Sequence, residues 1–254
     1  MDRLNVQDIR IRLDFSLIIT LVILEWYLMA VFIPSHFPNL SFINQLAIAV
    51  AVNAILTVSL IIHEFGHVVV ALIVGFKIRQ TVLFIFGGVH EIAIPEANEE
   101  KIFQNKLKVA MAGPLASALL ASLFALTLLL EFQEIDPKEV FEVKQGLSVI
   151  FVYAAMGNGL LALVNIIPAV PLDGAEILSS INHKLRKDFL NPTTQFRIGF
   201  LASLGFLIAG SFAIFSVSFY VGLLLILLAW ILRTGLREYI TLNNLPPHKF
   251  TKIP

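Results

Sequence analysis

Apolar residues along the chain fall into six long runs separated by short polar segments. Each run is long enough to cross the hydrocarbon core of a bilayer as a helix, for which roughly 20 residues are needed. The predicted spans lie near 15–33, 45–75, 107–130, 147–170, 197–215 and 217–234. After the second span, the stretch T-V-L-F-I-F-G-G-V-H-E-I carries β-branched and aromatic residues around a glycine pair, which predicts a short β-hairpin. The expected fold class is an all-α polytopic membrane protein of about six transmembrane helices, with one β-hairpin.

Composition agrees with a membrane protein and narrows the choice of partner and of metal ligand. Hydrophobic residues make up 57% of the 254 and charged residues 14%, and the mean hydropathy is +0.85; soluble domains have roughly 45–50% and about 25%. The net charge is zero, and the basic residues form no stripe with aromatic residues, so we expect no nucleic-acid partner. The chain has no cysteine, so a bound metal must use His, Asp, Glu or Asn.

The distribution of Lys and Arg between the predicted spans predicts the orientation in the membrane. Sixteen of the eighteen basic residues lie on the side that includes both termini. By the positive-inside rule that side is cytoplasmic, and the second and fourth spans end there.

The motif H-E-F-G-H, residues 63–67, interrupts the apolar second span. Positions four apart share one face of a helix, so His63 and His67 can bind a common metal ion. A chance match is improbable here, because an uncompensated Glu64 is penalised inside a membrane.

A second unusual stretch, N-I-I-P-A-V-P-L-D-G at 165–174, ends the fourth span. Pro168 and Pro171 forbid a regular helix, and broken backbone at membrane depth is tolerated only where it lines a buried or wet cavity. The topology places Asp173 at the depth of the two histidines. Two His and one carboxylate form a three-ligand zinc site with the fourth tetrahedral position open.

These stretches, with Phe86-Gly87-Gly88 and Ala112-Gly113-Pro114 between them, resemble the site-2 protease family of intramembrane zinc metalloproteases. The order of motifs is closest to the short six-span form, with room for neither a PDZ insertion nor a CBS pair, and implies one domain over 1–254. One departure is Ala175, where members often carry a second glycine.

The resemblance implies regulated intramembrane proteolysis, in which a peptide bond of a single-span membrane-protein substrate is hydrolysed within the lipid bilayer. It implies one Zn²⁺ held by His63, His67 and Asp173, with Glu64 as general base. It also implies substrate contact by Asn165, and we expect the substrate to pair with the hairpin at Gly87 and Gly88. Pro168, Pro171 and Gly174 then shape the turn before Asp173. The implied location is the cell membrane of a prokaryote; the oligomeric state is left open.

Several alternatives stay open. A metal-binding transporter also uses broken helices, and a non-cleaving homologue would bind membrane helices without cutting them. Asn165 can instead bond a carbonyl of its own span. Glu25, in the first span, is assigned a structural role, and the small residues from Ala112 to Ala118 are explained by close helix packing.

Overall fold

The structure, a computed structural model, is mostly helical. It describes residues 10–13, 15–84, 87–93, 98–131, 141–181, 192–216 and 219–242. Helix α1 (Phe15–Tyr27) continues through a π-helical turn (Leu28–Phe32) into α2 (Ile33–His36). The later helices are α3 (Phe42–Ile73), α4 (Glu99–Glu131), α5 (Phe141–Ile166), α6 (Asp173–Ile181), α7 (Pro192–Ser216) and α8 (Phe219–Leu242).

Five helical segments in the described part of the chain are long and apolar enough to cross a membrane. They are Leu17–Ser35, Phe42–Ile73, Glu100–Leu130, Gly146–Ile166 and Phe196–Ser216. The sixth predicted span, 217–234, falls in α8, for which crossing the membrane stays a prediction. Ser203 of α7 lies near Arg233 of α8, and Gly210 lies near Gly222, so the two helices run antiparallel.

Three strands form a small sheet in the order β1-β2-β3. Strand β2 (Lys77–Phe84) pairs antiparallel with β3 (Gly87–Ala93), and β1 (Arg10–Leu13) pairs parallel with β2. The sequence prediction of a two-stranded hairpin did not include β1, because the residues R-I-R-L were not assigned to a strand. Gly87 pairs with Phe84 and Gly88 with Leu83, while Phe86 lies outside the described residues.

Helix α3 has a defined start and end. The side chain of Ser41 accepts a hydrogen bond from the backbone N–H of Asn44, which caps the first turn. At the other end Gly75 has φ +85°, a left-handed conformation that glycine adopts without strain. The chain turns there, and Phe76 N–H bonds back to the carbonyl of Ala71. This turn ends the helix at Ile73, six residues after His67.

The segment between α5 and α6 is irregular, as its prolines predict. Its backbone is satisfied by short turns: Ala169 N–H bonds to the carbonyl of Ile167, and Leu172 N–H to that of Ala169. Backbone N–H and C=O groups at membrane depth need hydrogen-bond partners within the protein, and these turns supply some of them.

Close contacts fix this segment in place, because neither of two glycines beside it has room for a side chain. A Cβ on Gly174 would lie 2.2 Å from the carbonyl oxygen of Ile166, and one on Gly235 of α8 would lie 2.3 Å from Pro171. Pro168 is exposed. The buried residues Val170, Ala175 and Leu236 form a small core beneath the segment, so the alanine that replaces the usual glycine is packed against α8.

Candidate metal centre

The two histidines of the H-E-F-G-H motif face the same buried point. His63 and His67 lie one turn apart on α3, and both are essentially inaccessible, with exposures of 0% and 2%. Their Nε2 atoms are 3.4 Å apart. The helical spacing predicted from the sequence is therefore realised in the structure.

Asp173 joins the histidines from the first residue of α6. Its Oδ2 lies 3.3 Å from Nε2 of His63 and 3.2 Å from Nε2 of His67. In a tetrahedral zinc site with bonds of about 2.0–2.2 Å, neighbouring ligand atoms are about 3.3–3.6 Å apart. The three observed separations match that geometry, and the three residues form a group able to hold a metal ion.

Both imidazole rings are held at their other nitrogen by α4. Nδ1 of His67 lies 2.7 Å from the carbonyl oxygen of Val109, and Nδ1 of His63 lies 2.9 Å from Oγ of Ser117. A carbonyl oxygen only accepts, so Nδ1 of His67 carries a proton, and in the neutral ring Nε2 then offers its lone pair to the centre. Metal-binding histidines are oriented by partners of this kind.

Glu64 is buried beside the same centre. Its exposure is 4%, and Oε1 lies 4.0 Å from Nε2 of His63. Being adjacent to the first histidine in sequence, Glu64 projects from a different angle on α3 than His63 and His67. Its carboxylate can therefore face an atom bound at the centre without being one of the three clustered groups.

Gly113 of α4 lies directly against the two rings. A Cβ built on it would fall 2.1 Å from Nε2 of His67 and 2.6 Å from Nε2 of His63. On the facing helix, a Cβ on Gly66 would fall 3.0 Å from the carbonyl oxygen of Ala112. Close packing was expected for this small-residue group, but its position at the metal centre was not.

Sequence reasoning therefore missed three positions of α4. Val109, Gly113 and Ser117 are spaced four apart, so they share one face, and that face covers the histidines. The spacing could have indicated them, because Gly113 lies four residues before Ser117, a small hydroxyl residue, in a predicted span.

Asn165, Gly87 and Gly88, which were also predicted to belong to the site, are not among the three clustered residues His63, His67 and Asp173. Asn165 is 2% exposed, and its Nδ2 donates to the carbonyl of Leu161, one turn back on α5. That bond is the alternative left open by the sequence. Gly87 and Gly88 lie at the start of β3, in the sheet.

Comparison with known proteins agrees with this arrangement. The family model of peptidase family M50 matches residues 51–144 and 137–210, which together exceed half of the chain and include the histidines and Asp173. The chain belongs to peptidase family M50. Its resemblance to site-2 proteases, seen first in the motifs, is thereby confirmed.

Individual curated proteins are similar to this chain over part of their length. A zinc metalloprotease of Methanocaldococcus jannaschii, MJ0392, is 31% identical over 147 residues, covering 58% of this chain and 38% of that protein. Stage IV sporulation protein FB of Bacillus subtilis is 31% identical over 120 residues, covering 46% of this chain and 35% of that protein. The matched region spans less than half of these curated relatives.

One solved structure shares the fold over almost the whole chain. The site-2 protease from Methanocaldococcus jannaschii superposes with a TM-score of 0.62, covering 92% of both chains at 23% sequence identity. At this identity the likeness establishes the shared fold alone.

Proposed function

We propose that this chain is an intramembrane zinc endopeptidase. The observation that carries the proposal is the triangle of Nε2 of His63, Nε2 of His67 and Oδ2 of Asp173, with sides of 3.2–3.4 Å. Two lone-pair nitrogens and a carboxylate oxygen do not approach so closely in a buried site without a cation or a proton between them. The spacing and the N/N/O donor set suit zinc with its fourth position open.

Zinc, when bound, supplies a Lewis acid that lowers the pKa of a water to about 7 and polarises the carbonyl of the scissile peptide. Glu64 then accepts a proton from the attacking water and delivers it to the leaving nitrogen. The hydroxyl adds to the carbonyl carbon and the C–N bond breaks, so one water is consumed for each peptide bond. Glu64 is buried, and its Oε1 lies 4.0 Å from Nε2 of His63, close to the proposed metal position.

The proposed substrate is a single-span membrane protein. A peptide bond in a helix is shielded by backbone hydrogen bonds, so the substrate must unwind near the cut. Strand β3 lies at an edge of the three-stranded sheet, and we propose that the unwound segment pairs along it near Gly87 and Gly88. Asn165, which is buried and bonds the carbonyl of Leu161, is also proposed to contact the substrate.

The proposed orientation places both termini and the metal centre toward the cytoplasm, because sixteen of eighteen basic residues lie on that side. The exposed Pro168 marks the broken segment from which water would reach the centre. We propose that the whole of 1–254 acts as one intramembrane metalloprotease domain in a prokaryotic cell membrane.

The proposal is tested with purified protein in detergent, supplied with zinc, without ATP, and with a panel of single-span substrates. We expect the wild type to cut within or next to the span. Glu64→Gln retains the shape and all three proposed ligands but cannot take up the proton, so cleavage should fall by at least about a hundredfold while zinc stays bound. Undiminished cleavage by Glu64→Gln would refute its role as base.

The same preparations separate a protease from a transporter. Reconstituted into liposomes, a transporter would carry zinc in a manner that depends on His63 and His67, and would cut no substrate. Zinc flux without proteolysis would therefore contradict the proposed function. Binding of substrate spans without cleavage by the wild type would favour a non-cleaving homologue.

Contact with the substrate is tested by disulfide trapping, because the chain has no cysteine of its own. Gly88→Cys in the Glu64→Gln background should cross-link to a substrate cysteine placed next to the cut site. Gly205→Cys is the control, since Gly205 lies on α7, where a Cβ would meet nothing within 4 Å. Equal cross-linking at both positions would contradict pairing along β3.

A further inference from the structure

Arg233 lies inside the sixth predicted span, on α8. It follows Phe219, the first residue of this helix, by fourteen residues, which is about 21 Å of helix. The hydrocarbon core of a bilayer is about 30 Å thick, so the α-carbon of Arg233 falls in its inner half in the proposed orientation. A charged side chain at that depth is costly unless it is paired or reaches the interface, and for this reason it indicates a functional site.

The guanidinium of Arg233 lies against α7. Its Nε is 3.4 Å from Oγ of Ser203, and its Cζ is 5.5 Å from the ring centre of Phe200. A guanidinium carries five N–H donors, and the bond to Ser203 uses only one of them. Among the residues that the structure describes, no carboxylate pairs with Arg233 and no acceptor bonds its Nη atoms. Phe200 is nearer than Ser203 to the start of α7, so the guanidinium extends toward the proposed cytoplasmic interface.

Two further arginines lie one turn closer to that interface. Arg197 is three residues before Phe200 on α7, and Arg237 is four residues after Arg233 on α8, so each lies on the same side of its helix as that neighbour. Both are exposed. Because α7 and α8 are antiparallel neighbours, the start of one and the end of the other lie side by side. Three arginines therefore lie near the cytoplasmic end of this helix pair.

Exposed apolar side chains border the three arginines. Trp230, three residues before Arg233 on α8, is 40% exposed, and Leu201, four residues after Arg197 on α7, is 63% exposed. Tryptophan is enriched where the headgroups of a bilayer meet the acyl chains. The surroundings therefore suit a ligand that has a negatively charged head and an apolar body.

We propose that Arg197, Arg233 and Arg237 bind the phosphate of an anionic phospholipid in the cytoplasmic leaflet. The planar guanidinium of Arg233 donates two parallel N–H bonds to phosphate oxygens, a geometry that arginine favours. Basic residues at a membrane surface attract anionic lipids over zwitterionic ones. An acidic residue of a partner helix would supply one carboxylate for three cations and no acyl chain for the apolar border. The inference rests on the proposed orientation of α8 and is separate from the proposed proteolysis.

Trp230 can report on this site, because brominated acyl chains quench the fluorescence of a tryptophan that they contact. The chain has two tryptophans, and Trp26→Phe leaves Trp230 alone. This protein is reconstituted into mixed vesicles of phosphatidylglycerol and phosphatidylcholine, in which one lipid or the other is brominated. We expect phosphatidylglycerol to be preferred at Trp230 by at least about fivefold, the contribution of one basic residue near the surface. Equal quenching by the two lipids would overturn the inference.

Variants in the same background test the arginines. Arg233→Gln should lower the preference about fivefold, and so should Arg197→Gln, whose exposed position makes misfolding an unsuitable explanation. Lys101→Gln, at an exposed position on α4, removes the same charge elsewhere and should leave the preference unchanged. A preference that survives both arginine changes would contradict the site.

A soluble anion is separated from a lipid headgroup by adding inorganic phosphate at constant ionic strength. The lipid preference should persist, because inorganic phosphate has no acyl chain to place beside Trp230. Loss of the preference would assign the site to a soluble phosphate and overturn the lipid proposal. These measurements need neither zinc nor a substrate, so their outcome is independent of the protease assay.

Discussion

Gly113 of α4 and His67 of α3 are so close that a Cβ atom on the glycine would lie 2.1 Å from Nε2 of the histidine. That nitrogen is the one that faces Asp173. The backbone of α4 thus forms a wall of the centre, and any side chain at this position must displace a proposed ligand.

Gly113→Ala should therefore abolish stoichiometric zinc binding, because the methyl group and the ring of His67 cannot occupy the same space. Overpacking of this kind costs about 1–3 kcal/mol of stability as well. Metal analysis after purification is the measurement. The control is Gly159→Ala on α5, where a Cβ would meet nothing within 4 Å and alanine is the better helix former. Full zinc occupancy in Gly113→Ala would mean that the metal lies elsewhere.

The sequence predicted the parts of the site that depend on local spacing and on membrane topology. His63 and His67 follow from the helical repeat, and Asp173 follows from counting spans and basic residues. Gly113 and Ser117 depend instead on how α4 is rotated against α3, and that angle comes from packing in three dimensions. A single sequence does not directly specify the rotation of α4 against α3.

The sheet shows the same limit. Strands β2 and β3 are neighbours in sequence, so turn and β-propensity signals bear on their pairing. Strand β1 is separated from β2 by the whole of α1, α2 and α3, and its four residues carry no strand signal strong enough to stand alone. Pairing at that distance is a property of the fold.

Removal of the carboxylate ligand should lower the zinc content while leaving the histidines in place. Asp173→Ala deletes one of three proposed protein ligands, so zinc should be lost to a chelator that the wild type resists. Glu176→Gln is a matched control, since Glu176 lies one turn further along α6 and pairs with Lys106 at 3.0 Å instead. This partly exposed pair contributes little stability, so the control should keep its zinc. Equal zinc retention in both variants would point to another third ligand.

The membrane orientation can be measured with reporter fusions. We expect residues 36–42 and 133–146 outside, and residues 96–106 and 183–195 in the cytoplasm, as the basic residues predict. Asp173 and the histidines meet in one centre, and 183–195 follow the short helix that begins at Asp173. A reporter at 183–195 that reads outside would contradict the cytoplasmic orientation of the metal centre.

A polar pair, Glu25 and Asn53, links the first and second predicted spans, and each residue has one more oxygen that could accept a hydrogen bond. Nδ2 of Asn53 on α3 donates to Oε2 of Glu25 on α1, which bears out a structural role for this glutamate. Oε1 of Glu25 and Oδ1 of Asn53 are buried and have no hydrogen-bond partner among the described residues. Two acceptors side by side cannot satisfy each other.

Glu25→Gln should therefore stabilise the protein. The new amide can donate to Oδ1 of Asn53 while its oxygen still accepts from Nδ2, which gives a reciprocal pair. An unsatisfied buried polar atom costs about 1–3 kcal/mol, so we expect a gain of about 1 kcal/mol, seen as a higher melting temperature in detergent with unchanged zinc content. Glu100→Gln, at an exposed position on α4, is the control and should leave the melting temperature nearly unchanged. A lower melting temperature for Glu25→Gln than for this control would mean that the charge of Glu25 is itself required, and that a cation or water satisfies the second oxygen.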